Sequence, residues 1–253
     1  MNVKTEHVHI KYGLTFTSAF HFGTGLRGGL VHRLVARDAD GFLYVPGSTL
    51  KGVLRERCEQ LAQLFNLQTT SPHTEDWREA NRRDPDIMTR IFGSRFTPGQ
   101  LYFDDAQMSE SSRALFEVDK NREHLKSKFK AWQVERRTQV SLSRTTRTAQ
   151  SGLLFTSEYG VRDLQFEGSV LGLLAGFPLD SGEGGVGTYS LLLLLAGLKS
   201  LDRLGGSKSS GAGKVECQLT DCCVDGQSIS TDGLIKRLEE IEYYWLAREE
   251  AAG

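Results

Sequence analysis

The sequence predicts an α+β fold, in which helices cover one face of a β-sheet. Segments with strand-like and helix-like patterns follow one another in the order strand, loop, strand, turn, helix, and later strands, helix and strand. No repeat of about 20–50 residues is visible, which excludes a solenoid. The 253 residues, of which 39% are hydrophobic, are enough for a buried core, and this composition excludes collagen-like and low-complexity chains.

The first half of the chain alternates short apolar runs with glycine-rich turns. Ser48 is a favourable N-cap residue, and the apolar residues after it recur at helical spacing. The predicted elements are a strand at 8–16, a loop with four glycines at 18–29, a strand at 30–35, a tight turn at 38–41, a strand at 42–45 and a helix from Thr49 to about Phe65.

In the second half, the most apolar segment predicts a largely buried helix. Thr231 is a candidate cap of the last helix. The predicted elements are an irregular segment at 67–88, a strand at 99–103, charged helix at 111–136, extended chain at 140–166, a strand at 166–174, the buried helix at 184–201, a break at 205–213, a strand at 215–224 and an amphipathic helix at 231–248.

Charge is unevenly placed, although the formal net charge is only -1. Residues 120–150 contain nine Lys or Arg and two Glu, whereas residues 225–253 contain seven acids and three bases. A basic segment attracts the phosphates of nucleic acids, and the Thr, Ser and Gln of 138–150 can donate to phosphate and sugar oxygens. The alternative is a solvated helix face. The near-neutral total argues against a protein that is basic over its whole surface.

The four cysteines, of which none forms a C-x-x-C pair, indicate a reduced environment. The first residues lack the apolar stretch of a secretory signal. The longest apolar run, Leu191 to Leu198, is shorter than a membrane-spanning helix requires. These features predict a cytoplasmic protein without a membrane partner.

The segment Gly-Phe-Leu-Tyr-Val-Pro-Gly-Ser-Thr-Leu-Lys-Gly at 41–52 joins a predicted strand to a predicted helix. The N-terminus of a helix exposes unpaired N–H groups, so with Ser48 and Lys51 in its first turn this position suits an anion. The alternative is that Ser48 only caps the helix and that Lys51 is only solvated.

A second glycine-rich segment is Leu-Gly-Gly-Ser-Lys-Ser-Ser-Gly-Ala-Gly-Lys at 204–214. It is not a nucleotide-binding P-loop, because Lys208 and Val215 stand where that motif needs Gly and Ser or Thr, and because a helix precedes it and a strand follows it. The segment therefore does not indicate an NTPase. A loop with exposed N–H groups can approach a sugar-phosphate backbone closely; the alternative is a plain solvent loop.

The third segment is Phe-His-Phe-Gly-Thr-Gly-Leu-Arg-Gly-Gly-Leu-Val-His at 20–32. His21 or His32 is a candidate general acid or base, and the alternative for each is a structural or merely exposed side chain. The chain has no G-x-S-x-G motif, so a serine hydrolase is not indicated.

Metal and base-stacking sites are weakly supported by the sequence. His7 and His9 would share one face of a strand, and Cys222 and Cys223 are adjacent, but neither pair belongs to a set with zinc-ligand spacing. Trp77, Trp132 and Trp245 are interpreted as core or interface residues.

Together these segments resemble the RAMP superfamily of CRISPR-associated proteins. Five blocks carry the resemblance, in the family's order and approximate spacing. They are Phe-His-Phe-Gly-Thr-Gly at 20–25, Arg-Asp-Ala-Asp-Gly-Phe-Leu-Tyr-Val-Pro-Gly-Ser-Thr-Leu-Lys-Gly-Val-Leu-Arg at 37–55, Ile-Phe-Gly at 91–93 with Gly-Gln-Leu-Tyr-Phe-Asp-Asp-Ala at 99–106, Ser-Arg-Thr-Thr-Arg-Thr-Ala at 143–149 with Gly-Leu-Leu-Phe-Thr-Ser-Glu at 152–158, and the loop at 204–214.

The resemblance implies a ferredoxin-like, RRM-related core with insertions and a β-hairpin thumb. The implied parts of the single domain 1–253 are a core of about 1–65 and 160–224, insertions over about 66–160 that include the thumb at 138–160, and a C-terminal helix at 231–248.

The resemblance further implies a backbone subunit of a type III CRISPR effector complex in antiviral defence. Its partners would be guide crRNA, target RNA, other RAMP subunits and the large subunit, and its thumb would shape the guide–target duplex. The residues that this assigns to RNA binding are His21, Gly23, Gly25, Ser48, Lys51, Arg55, Arg144, Arg147, Gly205, Gly206, Ser207, Lys208, Ser209, Gly211, Gly213 and Lys214.

Catalytic members of the family cut target RNA with a divalent metal and carry an Asp upstream of the Arg37-Asp38 turn. Here the matching position is about His32, and no Asp or Glu lies between His21 and Arg37. This departure favours a scaffold, with no cofactor assigned. The alternatives are a Mg²⁺-dependent target endoribonuclease, in which His32 is the candidate catalytic residue, and a metal-free guide-processing ribonuclease that uses His21 or His32. The zinc-binding cysteines of some members are missing from 66–91.

Overall fold

The computed structural model describes residues 3–69, 84–117, 126–179 and 187–252. Trp77, most of the segment predicted as irregular at 67–88, the middle of the helix predicted at 111–136 and the beginning of the helix predicted at 184–201 lie outside these ranges. No helix in the described ranges is long and apolar enough to cross a membrane.

The described ranges contain nine strands and seven α-helices, numbered here in chain order, and two short 3-10 helices at Lys208–Ser210 and Leu238–Tyr243. The strands are β1 (Lys4–Phe16), β2 (Tyr44–Val45), β3 (Leu101–Phe103), β4 (Ala106–Met108), β5 (Val134–Leu142), β6 (Ala149–Gly160), β7 (Gln165–Gly176), β8 (Val215–Val224) and β9 (Gln227–Ser228). The helices are α1 (Gly47–Leu64), α2 (Ile87–Phe92), α3 (Glu110–Ala114), α4 (Lys126–Ala131), α5 (Tyr189–Lys199), α6 (Thr231–Ile235) and α7 (Tyr244–Ala252).

The main sheet has the strand order β2-β4-β7-β1-β8-β9, and β3 also pairs with β7. Each of these strand pairings is antiparallel. The strands β1, β3 with β4, β7 and β8, together with α1 and α5, follow the βαββαβ order of a ferredoxin-like core. The predicted fold class is confirmed.

Strand β1 shows why the sheet has one buried face. Its side chains alternate, so that Val8, Ile10, Tyr12, Leu14 and Phe16 are buried while the residues between them are exposed or half-exposed. Helices α1 and α5 pack on the buried face. The opposite face carries the exposed and half-exposed residues of β1, β7 and β8 that alternate with the buried ones.

Helix α5 is buried around its whole circumference and packs directly on α1. A Cβ atom at Gly197 would lie 2.4 Å from the Sγ atom of Cys58 and 3.0 Å from Leu54. Only glycine therefore allows this separation of the two helices. The helix begins at Tyr189, with the Thr188 hydroxyl accepting from the N–H of Leu191, and so it begins later than the predicted 184.

The β-hairpin predicted as a thumb is formed by β5 and β6, which pair only with each other as regular strands among the described residues. Its base is joined to the core by the bridge between Phe20 and Gly160 and by Arg33 beside Ser157. We call residues 134–160 the hairpin.

Three element predictions were wrong. The segment 30–35 is not a regular strand but a run of isolated bridges, in which Gly28 pairs with Val31 and Gly23 with Val35. The helix predicted over 111–136 is replaced, where the chain is described, by α3, α4 and the start of β5. The last residues of the charged segment, from Val134, form β5 because they pair with β6 across the hairpin.

The helix predicted at 231–248 is divided into α6, the 3-10 helix at Leu238–Tyr243, and α7. Its cap is Ser230 rather than Thr231, since the Ser230 hydroxyl accepts from the N–H of Gly233. Ile241 is the buried residue of the 3-10 helix, and Tyr244 and Ala247 are buried residues of α7.

Candidate nucleic-acid interface

Two of the glycine-rich segments lie side by side, joined by three hydrogen bonds. The N–H groups of Gly206 and Gly213 donate to the main-chain oxygens of His21 and Ala19, each at 2.8 Å. The N–H of Lys214 donates to the Ser18 hydroxyl, also at 2.8 Å. For the loop 204–214 the sequence left a plain solvent loop as an alternative. The structure instead fastens this loop to the segment 18–21.

Gly205 is required at this junction for two reasons. Its φ of +92° lies in the left-handed region, and a Cβ atom there would stand 2.6 Å from the main-chain oxygen of His21. Gly211 has the same φ of +92°, but a Cβ atom there would meet nothing within 4 Å. The two glycines therefore share the same positive φ, and they differ in that only Gly205 has a neighbour that a side chain would strike.

His21 connects the two segments to the hairpin. Its Nδ1 atom lies 2.7 Å from the main-chain oxygen of Glu158, which can only accept, so Nδ1 carries the hydrogen. The Nε2 atom faces Gly23, where a Cβ atom would lie 2.9 Å away. In the neutral ring Nε2 is therefore a hydrogen-bond acceptor, and in the charged ring it is a donor.

A cleft of about 500 Å³ opens between these segments. Six residues predicted from the sequence line it, and they come from two segments that are far apart in the chain, 20–32 and 204–214. Its lining is His21, Phe22, Gly23, Gly25, Leu26, Arg27, His32, Arg33, Leu34, Thr49, Gly205 and Gly206. This lining contains two arginines and no carboxylate, so it is suited to an anion.

The loop after Gly206 extends the same surface. Ser207 has a φ of +59°, and its hydroxyl lies 3.2 Å from the Tyr159 hydroxyl, while Arg137 stacks over the Tyr159 ring at 4.8 Å. The Nζ atom of Lys208 lies 3.5 Å from Glu56 on α1. The structure therefore places the loop between the base of the hairpin and the exposed side of α1.

The N-terminus of α1 is arranged differently from the prediction. The helix begins at Gly47 with Pro46 as its N-cap, and Ser48 is exposed and caps nothing. The N–H of Gly47 donates to the Asp105 carboxylate at 2.8 Å. Because an internal carboxylate already occupies the helix N-terminus, this position is less available to phosphate than the sequence indicated.

Lys51 and Arg55 are not brought into the cleft. The Lys51 ammonium stacks over Phe103 at 5.6 Å, and partial burial, with Arg55 as a smaller cause, lowers its pKa. Arg55 donates to the main-chain oxygen of Gly93 and forms an ion pair with Glu59 at 3.0 Å. These contacts lie on the side of α1 that faces β3 and α2, and an RNA contact for either residue stays a prediction.

His32 lies at the cleft beside β6 and is exposed. The main-chain N–H of His32 donates to the main-chain oxygen of Thr156 at 2.8 Å. The main-chain N–H of Thr156 donates in return to the ring Nδ1 atom of His32 at 3.2 Å. Since Nδ1 accepts, the hydrogen of the neutral ring is on Nε2. Nε2 is then a donor, which is the wrong state for a general base.

The tip of the hairpin presents Arg144 and Arg147, both exposed. The turn is closed by hydrogen bonds from the N–H of Ser143 to Thr148 and from the N–H of Arg147 to Ser143. The two predicted RNA-binding arginines are thus held by a defined turn, away from the cleft at the hairpin base.

A second cleft, of about 640 Å³, lies on the opposite face of the sheet. RNA recognition on the sheet face is characteristic of RRM domains, but Asp104, Asp105 and Glu167 line this cleft together with Lys11 and His9. Three carboxylates repel phosphate, so the cleft around His21 is the better candidate for RNA.

The donor atoms around His21 and His32 do not suit Mg²⁺, which prefers carboxylate oxygens. Glu158 lies in β6 next to His21, but its carboxylate is held between Arg37 at 3.8 Å and Arg136 at 3.7 Å. Within the described ranges, no group of three or more His, Cys, Asp or Glu is arranged to hold a metal ion.

Sequence reasoning missed Arg27, Arg33, Thr49 and Tyr159 as parts of this surface. For the arginines a signal was present, because residues 21–36 contain two bases and no acid. Tyr159 and Thr49 gave no signal, since their position depends on how the hairpin and α1 meet the glycine segments.

Comparison with protein-family models gives one match, to the model described as the RAMP superfamily, over residues 13–216. Among curated proteins no significant match was found.

The solved structures with a similar fold include two from the same type of complex. A chain of the type III-B Cmr-beta complex bound to cognate target RNA is 14% identical, with a TM-score of 0.54, and the match covers 83% of this chain and 96% of that one. A chain of the apo state of type III-B Cmr-beta is also 14% identical, with a TM-score of 0.51, and the match covers 84% and 97% of the two chains.

Proposed function

Because the chain belongs to the RAMP superfamily, we propose that it is a guide-RNA-binding backbone subunit of a type III CRISPR effector complex. In this role it holds guide crRNA and shapes the guide–target duplex, beside other RAMP subunits and the large subunit. The structural neighbours are parts of type III-B Cmr-beta, one of them bound to target RNA, and this supports the proposal.

The observation that carries the proposal is the cleft in which Gly205 and Gly206 lie against His21. Glycines carry no side chain that would keep a sugar-phosphate backbone away from the loop, and Arg27 and Arg33 supply positive charge at the same place. Such groups recognise phosphate and sugar and carry no information about base sequence. A guide holder needs this property, since its guides differ in sequence.

The position of Lys208 and Lys214 supports the same reading. Both belong to the loop that is fastened to segment 18–21, so the main chain from which their side chains extend is held in place. A lysine held in this way contacts one phosphate as a point charge. The exposed arginines at the hairpin tip would lie further along the same RNA or on the target strand.

A scaffold is favoured over a target endonuclease by the state of His32. The hydrogen bond from Thr156 to Nδ1 makes Nε2 a donor, and a donor at this place binds a phosphate or a 2′-hydroxyl oxygen instead of removing a proton. Cleavage by this subunit would need a carboxylate for the metal, which the lining of the cleft does not supply.

The test is the salt dependence of guide binding. Purified chain is titrated with two guide RNAs of unrelated sequence at several salt concentrations. We expect equal affinities for both, and a slope that falls by about one for Lys208→Ala and for Lys214→Ala, because each removes one phosphate contact.

Lys11→Ala is the matched control, since Lys11 lies on the acidic sheet face. Its slope should equal that of the wild type. A fall in slope for Lys11→Ala with none for Lys208→Ala would move the RNA to the sheet face and contradict the proposed cleft. Absence of guide binding at low salt, also with the partner subunits added, would contradict the function itself.

A further inference from the structure

The segment that leads into the hairpin presents a tryptophan to solvent. Trp132 lies between α4 and β5 and is 56% exposed. The sequence suggested a core or interface position for this residue, and its exposure excludes the core. Its ring packs against the ring of Phe129, with the centroids 4.6 Å apart, and more than half of the side chain stays open to solvent. We call Trp132 and Phe129 the aromatic platform.

The main chain at the aromatic platform is held in place by Gln133, which is fully buried. The side-chain amide of Gln133 donates to the main-chain oxygens of Lys130 at 2.9 Å and Gly41 at 3.3 Å. Its side-chain oxygen accepts from the N–H of Leu43 at 3.0 Å. Because the chain beside Trp132 is already fixed, a ligand that binds to the indole ring orders little further protein on binding.

The surroundings of the aromatic platform are basic. Residues 126–137 contain five Lys or Arg and one acid, Glu135, which forms an ion pair with Arg137. The acids on the adjoining segments 37–43 and 158–163 are Asp38, Asp40, Glu158 and Asp163, of which Asp40 is exposed and the other three form ion pairs with Arg113, Arg37 and Arg162. When these arginines are included, bases outnumber acids by eight to five. The platform therefore stands where a polyanion is attracted.

Trp245 has a similar exposure but different surroundings. It is 53% exposed, and the C-terminal segment 225–253 in which it lies contains seven acids and three bases. The base nearest to it in the sequence, Arg248, donates to the main-chain oxygen of Asp84 at 3.2 Å. Both tryptophans present an aromatic ring, but only the surroundings of Trp132 favour a ligand that carries phosphates.

The aromatic platform lies close to the cleft around His21. At the base of the hairpin, Val134 pairs with Gly160, and Gly160 forms a bridge with Phe20, the residue before His21. Two strand spacings, about 10 Å, therefore separate the main chain at the start of β5 from the segment that lines the cleft. Trp132 precedes Val134 by two residues, so it is within reach of an RNA strand that occupies the cleft.

We propose that the aromatic platform binds an unpaired base of the RNA held in the cleft, by stacking of the base on the Trp132 indole. Every base has a π face, so the contact is independent of base sequence. A base inside a duplex is covered on both faces by its neighbours, and therefore only an unstacked base fits. The inference rests on the proposed guide-binding function and adds a base contact to its phosphate contacts.

The first measurement compares two ligands of equal length and charge, a single-stranded RNA and a ribose-phosphate oligomer without bases. Trp132→Ala should weaken the binding of the RNA about fivefold or more and leave the affinity for the base-free oligomer unchanged. Trp132→Phe keeps an aromatic face and should lose less. The salt slope should stay that of the wild type in both variants, because neither removes a charge.

Tryptophan fluorescence reports the stacking directly. In a chain that carries Trp77→Phe and Trp245→Phe, Trp132 is the only tryptophan. Its emission should be quenched by the single-stranded RNA and not by the base-free oligomer. Quenching of equal size by both ligands would overturn the proposal, because it would report a change at Trp132 that needs no base.

Trp245→Ala is the matched control, since it removes a tryptophan of nearly the same exposure from acidic surroundings. It should bind RNA as the wild type does. A Trp132→Ala variant with wild-type affinity for RNA overturns the proposal. So does a variant that loses as much affinity for the base-free oligomer as for RNA, which would give Trp132 a structural role. Unchanged RNA affinity with lost association to a partner subunit would make the platform a protein interface instead.

These outcomes are separate from those of the proposed function. Guide binding with the expected salt slope, together with a Trp132→Ala variant that has no effect, would reject the platform alone. Quenching of Trp132 by RNA, together with unchanged salt slopes for Lys208→Ala and Lys214→Ala, would reject the cleft contact alone. A chain that binds neither ligand at low salt would reject both.

Discussion

The Nδ1 atom of His21 lies 2.7 Å from the main-chain oxygen of Glu158, so a buried side-chain hydrogen bond joins the first glycine-rich segment to the base of the hairpin. His21→Ala leaves that oxygen without its partner, and we expect it to lower the free energy of unfolding by about 1–3 kcal/mol. His21→Asn, whose amide can donate to the same oxygen, should lose less. Thermal unfolding and guide binding measure both effects; equal stability of the two variants would contradict this role.

Gly205 and Gly211 provide a matched pair for the junction of the two loops. Alanine at either position must adopt a left-handed backbone, at a cost of about 1–2 kcal/mol. Only Gly205→Ala also drives a Cβ atom against His21. We expect denaturant unfolding to show at least about 1 kcal/mol more destabilisation for Gly205→Ala than for Gly211→Ala, with a weaker affinity for guide RNA. Equal losses would show that the loops are not in close contact.

Tyr12 offers a test of the core. Its hydroxyl is buried and finds no hydrogen-bond partner among the described residues, and burial is the largest cause that raises its pKa. Tyr12→Phe removes an unsatisfied group, so the free energy of unfolding should stay equal or rise by about 1 kcal/mol. Gly168→Ala places a Cβ atom 2.3 Å from this hydroxyl and should destabilise. Chemical denaturation measures the free energy of unfolding of both variants. A large decrease for Tyr12→Phe would contradict the prediction, because it would show that the hydroxyl accepts or donates a hydrogen bond.

Two buried thiols predict a loss of stability at alkaline pH. Burial raises the pKa of Cys217 and of Cys222 to about 12, from an ordinary value of 9.0. Between pH 9 and 12 the unfolded chain therefore loses these protons first, and stability falls as pH rises, by at most about 1.4 kcal/mol per pH unit for each thiol. Cys217→Ala should lower stability at pH 8 but give a shallower decline up to pH 11. A parallel decline would show that the thiol is not the group that titrates.

Much of the fold could be predicted from the sequence because strand alternation and helical spacing are local signals. The strand that became β1 and the helix that became α1 each carry a full period of buried residues. The extent of β5 could not be predicted, because residues 134–139 have a helix-compatible charge pattern and become a strand only through their pairing with β6. The split of the C-terminal helix likewise follows from which residues find a core to pack on.

The glycine-rich segments of the candidate site could be predicted, because each is recognised from residues that are adjacent in the sequence. The contact between Gly205 and His21 joins residues far apart in sequence, and the family order of the motifs was the only sequence signal that placed them together. The Asp105 carboxylate at the start of α1 could not be foreseen, since Asp105 follows another strand and reaches Gly47 only through the pairing of β2 with β4.

His32 is the residue that separates a scaffold from an endonuclease. Its Nδ1 atom accepts from the N–H of Thr156, so Nε2 is a donor. In a reconstituted complex given labelled complementary RNA and Mg²⁺ or EDTA, we expect this subunit to bind target without cuts that depend on His32. His32→Asn keeps an acceptor near Nδ1 and should hold the target better than His32→Ala. Regular cuts in Mg²⁺ that disappear in both variants would instead make His32 a catalytic base, whereas cuts that persist in both would assign the chemistry to another residue or subunit.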